Sequence, residues 1–127
     1  MYNPFYMIEK VNILPPMMFG FAAQRKKILE SEIERFISEM PQFGAKKVIL
    51  IGDMVNGKIN IDSGIELIIT QNIDKPFKDR ADFWITHLRP SVKTDFYVYT
   101  PEEFDSLSKN DSFIIQSLSF GETLYDE

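Results

Sequence analysis

The chain has 127 residues, 44% hydrophobic and 26% charged, a balance that fits one folded domain with one core and excludes a disordered chain. The absence of cysteine excludes a disulfide framework, a thiolate metal site and a thiol nucleophile. A net charge of −5 argues against non-specific binding to DNA or RNA, because phosphate backbones are held by basic surfaces. No run approaches the ~18 apolar residues of a membrane span. No leader peptide is recognised, since Glu9 and Lys10 interrupt the first apolar run, so the cytoplasm is the expected compartment.

In chain order, residues 1–21 read as an extension rich in aromatic, Met and Pro residues, without a regular period. Pro15 and Pro16 are read as ruling out helix or central strand there. Its load of Tyr2, Phe5, Tyr6, Met7, Met17, Met18, Phe19 and Phe21 points to a contact, with the chain's own core or with another chain. Residues 22–127 form the domain proper. A helix is expected from Ala22 to Met40, with Ile28, Leu29, Ile33, Phe36, Ile37 and Met40 on one stripe. Lys47 to Ile51 reads as a strand buried on both faces. Ile65 to Thr70 reads as a second strand. The short link between them makes an antiparallel pair.

Pro76 to Leu88 reads as a helix with Phe77, Ala81, Trp84, Ile85 and Leu88 inward. Trp84 is read as core rather than as a stacking platform. Lys75, Lys78 and Arg80 are read as a solvated face, and His87 as exposed. Thr94 to Tyr99 is a third strand, parallel to the second across the helical crossover. Thr100, Pro101 and Glu103 spell a capping box with proline in the first turn. Asp111 caps a last helix carrying Ile114, Ile115 and Leu118, and the segment after Gly121 adds an edge strand. The expected fold class is α/β: a small mixed sheet backed by helices.

The chemistry gathers around Ile51–Ile69. Gly52 and Gly57 bracket a turn in which backbone N–H groups can approach a ligand, and Asp53–Asn56 can begin a short helix there. Positions 62, 64 and 66 share one side of the following strand, because strand side chains alternate with period two. Asp95 can stand beside Glu66 on the next strand. Carboxylates on neighbouring strands, facing a phosphate turn, are a means of holding Mg²⁺ over a triphosphate.

This pattern resembles the minimal nucleotidyltransferases of the DNA polymerase β superfamily. Their pattern is a hydrophobic strand, Gly-Ser, a later Arg-Gly, Asp-x-Asp on a second strand and a third Asp on a later one. Gly52 matches the Gly, Asp53 falls on the Ser, and Asn56-Gly57 falls on the Arg-Gly. Gly64 and Glu66 fall on the Asp-x-Asp, and Asp95 on the third carboxylate. The likeness runs from Ala22 to the C-terminus, including VYTPEEF and GETLYDE. It implies a nucleotidyltransferase fold, nucleotide binding at Gly52, Asp53 and Gly57, an NTP as substrate or ligand, and Mg²⁺ as cofactor.

The departures fall on the chemistry. Gly64 supplies no carboxylate, and Asp53 puts a negative charge where phosphate belongs. At 4 Å and an effective dielectric near 20 that repulsion is about 4 kcal/mol. Two functions follow. One is a non-catalytic subunit that binds a partner, such as the HEPN-type helical proteins that pair with minimal nucleotidyltransferases in toxin–antitoxin systems, or a second copy of itself. The other is an active transferase moving a nucleoside monophosphate from an NTP to an acceptor. Its catalytic residues would be Glu66 and Asp95, with Asp62 or Asp53 replacing the missing metal ligand. If the segment has lost catalytic competence, changing Gly64 to Asp and Asp53 to Ser is expected to strengthen Mg²⁺-nucleotide binding.

Overall fold

The apolar run that ends at Ile51 becomes an inner strand. In a computed structural model, which describes residues 16–127 and side chains from residue 20 onward, Ala45–Ile51 forms strand β1. It pairs antiparallel with β2, Ile65–Gln71, and on its other edge antiparallel with β4, Glu122–Asp126. Strand β3, Thr94–Tyr99, lies parallel to β2, giving the order β3-β2-β1-β4. Mixed pairing is as the link lengths suggest: a loop with a one-turn helix, too short for a full crossover, joins antiparallel β1 and β2, and a helix, Phe77–Leu88, joins the parallel pair.

One face of the sheet is closed by two helices, Pro16–Glu39 (α1) and Phe77–Leu88, which is α3 once the one-turn helix Asp53–Asn56 (α2) is counted. Val48, Leu50, Leu67, Ile69, Phe96 and Val98 pack there against Leu29, Phe36, Trp84 and Leu88. Trp84 is fully buried, and its indole N–H donates to Gln71 Oε1 at 3.1 Å. The opposite face carries Ile49, Ile51, Ile68, Tyr97 and Tyr99. It is covered in part by Pro101–Asn110 (α4) through Phe104 and Leu107, and by Ser112–Phe120 (α5) through Ile114.

Several local readings hold. Thr100 and Glu103 form both halves of the capping box, and Asp111 accepts from the Ile114 N–H. His87 is exposed. Others are corrected. The first helix begins at Pro16, not Ala22, because proline at a first helical position loses only an N–H that would have no partner anyway. The boundary drawn at residue 21 thus cuts a helix, and residues 1–15 lie outside the described residues. Ile28 and Ile85 are 42% and 46% exposed. Each follows or precedes a buried neighbour by one residue, about 100° around the axis, so a stripe that includes both neighbours is too wide. Ile115 and Leu118 are also exposed; of the apolar residues of α5 only Ile114 is buried.

Arg80 does not belong to a solvated face. It is 7% exposed and pairs with Glu103 at 2.6 Å while donating to the carbonyls of Lys75 and Val98. It ties α3 to the end of β3 and the start of α4. Among the described residues, no helix is long and apolar enough to cross a membrane.

Candidate functional site

The site lies where β1 ends and β2 begins. The antiparallel register sets Ile51 opposite Glu66, and the parallel register sets Glu66 opposite Asp95. Both carboxylates therefore stand on neighbouring strands at one end of the sheet. Period-two alternation puts them on the same face as Ile68 and Tyr97, the face that α5 covers only partly. A cleft of about 640 Å³ opens there. One rim is formed by Gly52, Val55, Asn56 and Lys58, the floor by Ile51 and Glu66, and the other rim by Phe113, Gln116, Ser117 and Phe120.

Gly52 has φ +84°, a conformation glycine reaches without strain, and a Cβ there would collide with the Glu66 carboxylate. The backbone conformation is what favours glycine here, and the close approach places the turn directly against the Glu66 carboxylate. Asp53 opens α2, and its Oδ2 accepts the Ser63 hydroxyl at 2.7 Å. The N–H groups of Val55 and Asn56 both donate to the Gly52 carbonyl, closing the turn. Gly57 ends α2 in the left-handed conformation with its N–H on the Asp53 carbonyl, and it does not line the cleft.

The electrostatics are those of crowded acid. Burial pushes the Glu66 carboxyl above its ordinary range, and the charges of Asp95 and Asp53 push it further, with Lys93 opposing. The Tyr97 hydroxyl is raised by burial and then by Asp95 and Glu66.

Asp62 does not join this group. It is exposed in the turn before β2, where its N–H donates to the Asn60 side chain. The strand starts only at Ile65, so the alternation that placed positions 62, 64 and 66 on one side does not extend back to 62. Gly64 is closed to any side chain, since a Cβ there would run into the Lys93 carbonyl oxygen, the same atom that accepts the Ile65 N–H at 2.9 Å. Among the described residues no three His, Cys, Asp or Glu side chains gather closely enough to hold a metal ion. The three-carboxylate donor set implied for two Mg²⁺ ions therefore does not fit these residues.

Sequence reasoning missed Lys58, Phe113 and Phe120. Lys58 directly follows Gly57, so its place on the α2 rim could have been inferred. The two phenylalanines sit two helical turns apart, but attention to Ile114, Ile115 and Leu118 as a core stripe concealed them.

The architecture is similar to a solved structure, that of a candidate nucleotidyltransferase from Sulfolobus solfataricus. The two share 14% identity over 85% of this chain and 86% of that one, with a TM-score of 0.51. This chain has a nucleotidyltransferase-like fold. No family model and no curated protein matches the sequence. Within the nucleotidyltransferase-like fold, Glu66 and Asp95 occupy adjacent strands as the resemblance implies, while position 64 is occupied sterically by main chain.

Proposed function

We propose that this is a non-catalytic protein on a nucleotidyltransferase-like fold, a cytoplasmic, antitoxin-like subunit that binds a helical partner of the HEPN type and retains a nucleotide cleft. The observation that carries the loss of catalysis is the closure of position 64 by the Lys93 carbonyl oxygen. A missing carboxylate could be restored by a single base change in evolution; a missing space could not. Mg²⁺ holds closely to octahedral geometry, so a ligand several ångströms away is a poor substitute. The apolar composition of residues 1–21 supports partner binding.

Retention of the cleft is supported by Lys58 on its rim and by its volume, which is in the range of small-molecule sites. Calorimetry with ATP or CTP, with and without Mg²⁺, combined with transfer of labelled nucleotide, tests the reading. Binding without transfer is expected.

A second reading is favoured by one observation, the direct opposition of Glu66 and Asp95 across β2 and β3. It is a weakly active Mg²⁺-dependent transferase. Transfer by the unmodified chain, abolished in Glu66→Ala or Asp95→Ala, would establish it in place of the first.

A further inference from the structure

Two phenylalanines of α5 are exposed to the cleft rather than to open solvent alone. Phe113 is 41% and Phe120 68% exposed, and both line it. Two turns apart on one helix, they fall within about 20° of each other around its axis and make one aromatic strip. Phe113 is braced by Tyr97, with ring centroids 5.2 Å apart. Tyr97 follows Asp95 by one strand period, so the brace comes from the strand that carries a site carboxylate.

The strip is not uniformly apolar. Gln116 lies on the same wall and offers an amide donor and an acceptor to the cleft. α5 carries no charged side chain, whereas the opposite wall and floor carry Lys58 and Glu66. A wholly apolar occupant would leave the Gln116 amide without a partner, which is costly once water is expelled. A wholly ionic occupant would leave the rings unused. The combination suits a ligand with a flat π face and polar edge at one end and a charged group at the other.

We infer that Phe113 and Phe120 form a base-stacking wall, so that a nucleoside phosphate lies with its heterocycle on α5, its edge at Gln116 and its phosphates toward Lys58. The inference rests on the nucleotide-binding part of the reading above and assigns it binding residues outside the strand carboxylates. Stacking on an aromatic ring is tolerant of base identity, so the wall sets a preference for nucleotide over free phosphate more than for one base.

The test is calorimetry on the full chain with two probes, Mg-ATP and Mg-tripolyphosphate. Phe120→Ala should weaken ATP binding about tenfold or more, the scale of one lost stacking contact. Phe120→Tyr keeps a ring and should retain ATP affinity, and neither change should move tripolyphosphate binding. The exposure of Phe120 makes both variants safe for folding, and fluorescence of the buried Trp84 checks that.

If ATP affinity is unchanged in Phe120→Ala and in Phe113→Leu, the wall is refuted while nucleotide binding survives. If the unmodified chain binds no ATP, both statements fall. If Phe120→Ala instead changes particle mass in light scattering with ATP affinity unaltered, the strip is a protein contact and the stacking assignment is overturned.

Discussion

The two faces of the sheet use glutamate in opposite ways. On the closed face, Glu32 of α1 is buried and accepts from the Ser91 N–H and hydroxyl and from Arg35 Nε. The Arg35 hydrogen bond leads the causes that hold its carboxyl at about 2, well below the usual range. On the cleft face, Glu66 is held above its range by burial and by Asp95 and Asp53. One glutamate is surrounded by donors and fastens a helix to a loop. The other stands beside Asp95 and Asp53 and, among the described residues, is opposed by Lys93. The contrast separates a carboxylate that donors stabilise from one that neighbouring charges destabilise.

The largest expected effect lies on the closed face. Trp84→Ala should cost about 3–5 kcal/mol, because it empties the centre of the core and deprives the Gln71 carbonyl of its donor. Urea denaturation measures it. A midpoint equal to the parent's would show that the α3 face is not the stabilising one.

Glu32→Gln comes next, at about 2–3 kcal/mol near neutral pH. The folded carboxyl lies below its unfolded value of 4.5, so its contribution is present above that value and is lost as pH falls toward about 2. The gap between variant and parent should therefore close on acidification from pH 5 to pH 2. A gap that stays constant would mean that Glu32 acts by packing alone.

Gly64→Asp should cost about 2 kcal/mol through overpacking against the Lys93 carbonyl. It should bring no gain in Mg²⁺-nucleotide binding, alone or with Asp53→Ser. This reverses what sequence pattern alone suggested, where an aspartate at 64 restored a ligand. A rise in Mg-ATP affinity, measured by calorimetry on folded protein, would show that the β2–β3 junction yields and that position 64 can accept a ligand side chain.

These cases indicate what a sequence can carry. Thr100-Pro-Glu-Glu103 is legible because a capping box is closed within four residues and owes nothing to the rest of the chain. The pairing of Glu66 with Asp95 is legible because a crossover through one helix fixes parallel neighbours, and the register follows from the strand starts. Gly64 is not legible as a barrier. Its obstacle is a main-chain oxygen nearly thirty residues away, and any amino acid at 93 would present the same carbonyl. Arg80 misled because a basic residue near two lysines looks solvated, while its guanidinium is claimed by Glu103 and two carbonyls from other elements. Periodicity found the helix at 77–88 but not the angle at which it meets the sheet, so Ile85 was assigned to the wrong side.

The smallest effect isolates the cleft glutamate. Glu66→Gln preserves side-chain size and removes only the charge. Because the folded carboxyl is raised above its unfolded value of 4.5, Glu66 contributes stability below that value and loses it as pH rises through its folded value. Parent and variant should therefore unfold at the same temperature near pH 4. Near pH 8 the variant should unfold slightly higher, since the parent then carries a charge next to Asp95 and Asp53 that folding disfavours. The sign at neutral pH and above is opposite to that of Glu32→Gln, which destabilises there. A variant less stable than the parent at pH 8 would mean that the Glu66 carboxylate has a favourable partner in solution, with Lys93 or a bound cation as the first choice. Repeating the melt with Mg²⁺ separates them: a cation raises the parent's transition and leaves the variant's alone, whereas a Lys93 pair is indifferent to Mg²⁺ and weakens with monovalent salt.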